Sequence, residues 1–220
     1  MRKRYHHGDL RQSLIDAALA ELDERGELPS WRALARACAV SQTAPYRHFD
    51  SFETLQAAVV TAAFGRLNET ILEAAAGIEE PFARLAAGLR AYIEFGCRHA
   101  SWYELMFGRN LALLKHEEVA AAGRAAYATL TGAIADCGVA TPDDIAFTVW
   151  SALHGVADLV GNGLSPPDAG RDSGQRAVDG LIDMCVAHVR CAATADRPDR
   201  GGPRVVHRRP RARAAAKGQD

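Results

Sequence analysis

The sequence predicts an all-α protein. Alanine and leucine dominate its apolar residues, and valine and isoleucine are sparse outside short runs, which favours helix over sheet. Apolar residues recur with helical period in segment after segment. Capping and stop residues stand where those periodic stretches begin and end.

The elements follow in order. From Asp9 to Arg25, Leu10, Leu14, Ile15, Ala18, Leu19 and Leu22 form one broad stripe, and Gly26 is a suitable stop. Ser30 can cap a short helix to about Cys38, with Trp31, Leu34 and Ala35 turned inward. After a turn at residues 38–41, Ser41 can cap a third helix, Gln42 to Phe49. Asp50 and Glu53 have capping-box spacing for a long helix from Ser51 to about Ala76. Further helices are expected at Phe82–His99, Trp102–Phe107 and Glu117–Cys137. Thr141 and Pro142 open another, to about Val160, and the last runs from Ser173 to about Cys191. The expected total is about nine helices. From Asp196 the chain has almost no apolar content and reads as a disordered basic tail. The domain reading is 1–52, 53–195 and the tail 196–220.

Composition excludes several classes. The 220 residues are 48% hydrophobic, enough for a well-filled core, and the formal net charge is −1. That balance is uneven, because eight Arg or Lys face three Asp after Ala195. Five scattered cysteines lack any C-x-x-C pair or partner histidines, so reduced thiols are expected, with no metal and no disulfide. "MRKRYHHGDL" lacks the apolar stretch of a signal peptide, and no segment approaches 18 apolar residues. A soluble, cytoplasmic protein without a membrane partner is expected. G-x-S-x-G, a phosphate-cradling glycine loop and H-E-x-x-H are all missing, so neither catalysis nor a cofactor is expected.

Two short helices joined by a tight turn behind a supporting helix make a helix-turn-helix unit. On the segment 42–49, helical spacing groups Gln42, Thr43, Tyr46 and Arg47 on one face. Gln and Arg pair with adenine and guanine edges, and a Thr or Ala methyl packs on a thymine methyl. Gln42, Thr43, Ala44 and Arg47 are therefore the candidate base contacts. Ser41, Tyr46 and His48 suit phosphate oxygens, as does the basic N-terminal arm Arg2, Lys3 and Arg4. The partner so implied is double-stranded DNA.

The segments "YHHGDLRQSLIDAALAELDERG", "SWRALARACAVSQTAPYRHF" and "DSFETLQAAV" resemble the N-terminal domain of the TetR family of transcriptional regulators. All three helices and both connections take part, over about the first sixty residues. Farther on, "VWSALHGVADL" is similar to the W-x-x-x-H-G signature of the WHG type of TetR C-terminal domain, at Trp150, His154 and Gly155. The resemblance implies an all-helical homodimer with a variable C-terminal domain that binds a small-molecule effector. It also implies a dimer interface built from the last two helices. Ala152 and Gly155 would allow close approach there, and Val178, Leu181, Ile182, Cys185 and Val189 have the required spacing. Two residues depart from the family pattern. Ala39 replaces the usual turn glycine, and Phe52 replaces a lysine that touches phosphate in many relatives.

Aromatic residues concentrate in "AYIEFGCRHASWYELMFG". Tyr92, Phe95, His99, Trp102, Tyr103, Met106 and Phe107, with Tyr127, Trp150 and His154, are the candidate lining of a mostly apolar pocket. Trp150, His154 and Asp158 share one helical face, so His154 could bond to Asp158 or meet a ligand. The function expected is that of a ligand-responsive repressor on a pseudopalindromic operator. The alternative is a ligand-binding or scaffolding helical dimer with weakened DNA binding.

Overall fold

The computed structural model describes residues 10–108, 113–164 and 172–195. Among them are eight α-helices, two short 3-10 segments and no strand. The basic arm Arg2, Lys3 and Arg4 and the tail 196–220 lie outside the described residues.

Helix α1 (Leu10–Arg25) buries Leu14, Ile15, Ala18, Leu19 and Leu22, the stripe its periodicity predicts. It stops at Gly26, which adopts φ +75° and returns its N–H to the Leu22 carbonyl. Helix α2 (Trp31–Ala37) starts on Ser30, whose hydroxyl accepts the Ala33 N–H. Its end is a Schellman turn. Val40 N–H reaches the Ala35 carbonyl at 2.9 Å and Ala39 N–H the Arg36 carbonyl at 3.1 Å. Ala39 supplies the left-handed residue, at φ +55°.

The expected third α-helix, Gln42 to Phe49, is instead a turn followed by a 3-10 segment, Pro45–Arg47. The cause is Pro45. An α-helical bond to the Ser41 carbonyl would need the N–H that proline lacks. Ser41 therefore accepts from Ala44 N–H at 3.0 Å, a three-residue spacing that Arg47 N–H to Ala44 repeats. Ser41 makes no side-chain cap; its hydroxyl pairs with that of Thr43 at 3.3 Å.

Helix α3 (Phe52–Ala75) has its capping box one residue later than expected. Ser51 and Thr54 form it, rather than Asp50 and Glu53. Helix α4 (Pro81–Arg98) is capped by the Glu80 carboxylate, which accepts the Ala83 N–H at 2.6 Å. Short α5 (Ala100–Phe107) follows, then a 3-10 segment (Leu113–Lys115) and α6 (Glu117–Asp136). Helix α7 (Pro142–Gly161) has proline in its first turn, but the expected Thr141 side-chain cap does not form. Helix α8 (Ser173–Ala195) runs four residues past the expected end.

Helices α1 and α2, the 3-10 segment and the start of α3 form a head. The rest of α3 packs against α4 and α6, while α4 is covered on its other side by α7 and α8. Gly96 makes the α4–α7 crossing possible, because a Cβ there would lie 3.1 Å from both Ala157 Cβ and the Tyr103 ring. One continuous apolar cluster runs from Leu14 in α1 to Ala193 in α8. No helix among the described residues is long and apolar enough to cross a membrane.

Candidate functional site

The head presents the recognition segment on an aromatic base. Trp31 of α2 lies 5.1 Å from the Tyr46 ring and meets Phe52 edge-on at 5.7 Å. Phe49 is buried beside it. Phe52, where relatives would carry a lysine, thus locks the first turn of α3 to α2. Around this anchor Ser41, Gln42, Thr43, Tyr46, Arg47 and His48 are all exposed, and Ala44 is half-buried. The expected base contacts and Ser41, Tyr46 and His48 thus lie in one short stretch that is exposed apart from Ala44 and Pro45, with Arg47 closing the 3-10 turn; Arg4 lies outside the described residues.

The body contains a cavity of about 900 Å³ between α3, α4 and α6, closed at one end by α5 and α7. Its walls are Val60, Phe64, Leu67 and Ile71 of α3, Leu85, Leu89 and Tyr92 of α4, and Val119, Tyr127 and Leu130 of α6. Met106, Phe107, Trp150 and Leu153 complete it. Five of the ten expected pocket residues therefore line it: Tyr92, Met106, Phe107, Tyr127 and Trp150. The other five do not. Most of the aliphatic wall lies on α3 and α6, and their apolar faces read in sequence as ordinary core.

Phe95, His99 and Trp102 join the body to the head instead. The Trp102 indole N–H donates to the Leu19 carbonyl of α1 at 3.0 Å, and His99 Nδ1 lies 3.0 Å from the Asp23 carboxylate. The His99 ring stacks on Trp102 at 4.3 Å, and Phe95 packs against both. One face of α5 thus grips α1.

Tyr103 and His154 do not line the cavity but belong to a polar chain that is buried at its two tyrosines and half-buried at Trp150 and His154. The Trp150 indole N–H donates to Tyr92 Oη at 3.2 Å, Tyr92 Oη and Tyr103 Oη are 2.8 Å apart, and Tyr103 Oη is 2.6 Å from His154 Nδ1. Of the two partners open to His154, Asp158 is not bonded to it; Asp158 instead accepts from the Asn162 amide. Burial lowers the His154 pKa from its ordinary 6.5, although the Asp158 charge pulls the other way. Burial likewise pushes the Tyr92 phenol up to about 12, its bonds to Tyr103 and Trp150 partly offsetting this, and raises Tyr103 further. At neutral pH the chain carries no charge.

The residues expected at a dimer interface divide in two. Val178, Leu181, Ile182, Cys185 and Val189 are buried inside the single chain, on the face of α8 that packs on α4 and α7. They are core of the single chain, with Cys185 also at the floor of a small groove between α7 and α8. Gly155 is exposed with open space beside it, and Ala152 borders a small groove between α7 and α8. The outward surface of these helices carries large apolar side chains, with Phe147 62% and Met184 60% exposed. Gly180 and Ala187 flank Met184 at helical spacing and are exposed too.

Residues 85–184 match the family model described as "Tetracyclin repressor-like, C-terminal domain". No curated protein matches the chain in sequence. Among solved structures, a protein of unknown function from Rhodococcus sp. RHA1 is similar at 27% identity, covering 85% of this chain and 98% of its own, with a TM-score of 0.71. A TetR-like transcriptional regulator from the same organism is 20% identical, with coverages of 88% and 100% and a TM-score of 0.57. AibR, solved in complex with isovaleryl coenzyme A and operator DNA, is 22% identical, with coverages of 80% and 97% and a TM-score of 0.57. The chain therefore has the all-helical fold of TetR-like transcriptional regulators, a helix-turn-helix head followed over residues 85–184 by a tetracyclin repressor-like C-terminal domain.

Proposed function

We propose that this protein is a ligand-responsive repressor that binds a pseudopalindromic operator as a homodimer, and that it is not an enzyme. One observation carries the reading: an open Gln42–Thr43–Arg47 surface and a 900 Å³ apolar cavity stand in one chain, joined by α5. Gln42, Thr43, Ala44 and Arg47 read base edges, while Ser41, Tyr46 and His48 hold phosphates, helped by Arg4 of the N-terminal arm. AibR, with its acyl coenzyme A and operator DNA, is a precedent for both kinds of partner on this fold. Trp150, His154 and Gly155 supply the W-x-x-x-H-G signature of a WHG-type C-terminal domain.

In the dimer, the outward faces of α7 and α8 meet their copies in a four-helix contact, with Phe147, Gly155, Gly180 and Met184 at its centre. Two heads then stand about 34 Å apart, one turn of DNA, in the cytoplasm where the operator is. An effector that prefers a different head spacing weakens binding by its differential affinity for the two arrangements. Mobility shift with DNA from upstream of the protein's own gene tests the proposal. A salt-sensitive, sequence-specific shift supports it, and binding no better than to random DNA overturns it.

A second reading, a ligand-binding dimer with weakened DNA affinity, has the short 3-10 geometry of the recognition segment and Phe52 in its favour. The same titration decides between them.

A further inference from the structure

We infer that the cavity takes an uncharged, elongated hydrocarbon ligand bearing one neutral hydrogen-bonding group, an alcohol or a carbonyl, which docks against Tyr92 and Trp150. This deepens the effector-binding reading above and rests on it. The cavity is long, since its α3 wall runs from Val60 to Ala75, about 22 Å of helix at 1.5 Å per residue. Its inner walls are aliphatic and aromatic. Among the described residues four charged side chains border it, and two of them are cations. Arg84 is bound to Asp136 at 2.8 Å, and Arg124, 63% exposed, is bound to Glu117. Both of these cations already face a carboxylate. A carboxylate carried into the apolar interior would have to give up its water or draw an arginine from its present partner, both unfavourable.

The polar chain at the inner end has valence for one neutral group. The indole of Trp150 has a single donor, and Tyr92 Oη accepts it. Tyr92 shares one further hydrogen with Tyr103, which in turn shares one with His154 Nδ1. A phenol oxygen has one donor and two acceptor positions, so Tyr92 keeps one position open. If His154 Nδ1 accepts, the bonds run from Trp150 through Tyr92 and Tyr103 to His154. The open position on Tyr92 is then a lone pair, suited to an alcohol. If Nδ1 carries the proton the phenols reverse, and Tyr92 offers its O–H to a carbonyl. His154 thus sets which neutral group is taken, without touching the ligand itself.

Titration calorimetry with decanol, methyl octyl ketone and decanoate tests the assignment. Decanol or the ketone is expected to bind at least tenfold more tightly than decanoate. Tyr92→Phe is expected to weaken the neutral ligand about five- to tenfold, one hydrogen bond, and to leave decanoate unchanged. Trp150→Phe, which removes the indole donor that orients Tyr92, repeats the test should Tyr92→Phe melt early. Decanoate binding as tightly as decanol, no binding by either neutral compound, or no response to both substitutions would overturn the inference. Adding decanol to the operator complex separates this from the regulatory reading. Binding without release leaves the site standing and sinks the regulator, whereas operator binding intact with no decanol bound sinks the site alone.

Discussion

Ala39 bears a strain that its neighbours impose. The Schellman bonds from Ala39 and Val40 require a left-handed residue, and an L side chain there costs about 1–2 kcal/mol. Ala39→Gly is therefore expected to stabilise the protein by about 1 kcal/mol, raising Tm by roughly 2–4 °C. An unchanged or lowered melting temperature would show that the turn is relaxed as it stands. His154 carries a pH dependence with a definite sign. Burial lowers its pKa below 6.5, so above that pH both folded and unfolded chains hold it neutral. As the pH falls through 6.5 the unfolded chain takes up the proton first, and stability is lost until the folded pKa is passed. His154→Gln should flatten that part of the melting curve between pH 7.5 and 5. Parallel curves for the two proteins would remove His154 as the cause.

At the scale of elements, α5 has two jobs that truncation can separate. Trp102 is buried with its indole bonded to α1, so Trp102→Ala should cost about 3–5 kcal/mol in urea unfolding. Phe107 borders the cavity, where space already exists, and Phe107→Ala should cost clearly less. Equal losses would place both in one core. The recognition segment has its own test. Arg47→Ala should weaken operator binding by about 1–3 kcal/mol and relax one base position per half-site. Equal weakening on random DNA would make Arg47 a phosphate contact.

At the scale of the whole molecule, α7 and α8 leave Phe147 and Met184 exposed among the described residues. Met184→Asp sets a charge there and should yield monomers in sedimentation equilibrium while each protomer stays folded. Met184 is itself 60% exposed, so a folded dimer of unchanged affinity would place the interface elsewhere. Operator binding should fall with the dimer, because one head alone reads only half a site.

Local chemistry made most of the helices legible in the sequence. Ser30 and Gly26 mark ends through bonds to residues three or four away, Pro142 marks a start by the donor it lacks, and α1 shows its buried stripe by spacing alone. The α-helix expected at 42–49 was the exception, because Pro45 lacks the N–H that an α-helical turn needs there. The site was only half legible, for a reason of geometry. An aromatic cluster in "AYIEFGCRHASWYELMFG" reads the same whether its rings face a cavity, a core or a neighbouring domain. Periodicity gives a helix its apolar face but never says what that face meets. Tertiary packing turned Trp102 and His99 toward α1, bonded Tyr103 and His154 into a chain with Tyr92, and used the apolar stripe of α8 inside the protomer. The stripe from Val178 to Val189 could have matched a partner helix or α4 and α7, and only the folded chain, with those two helices already beside it, decided.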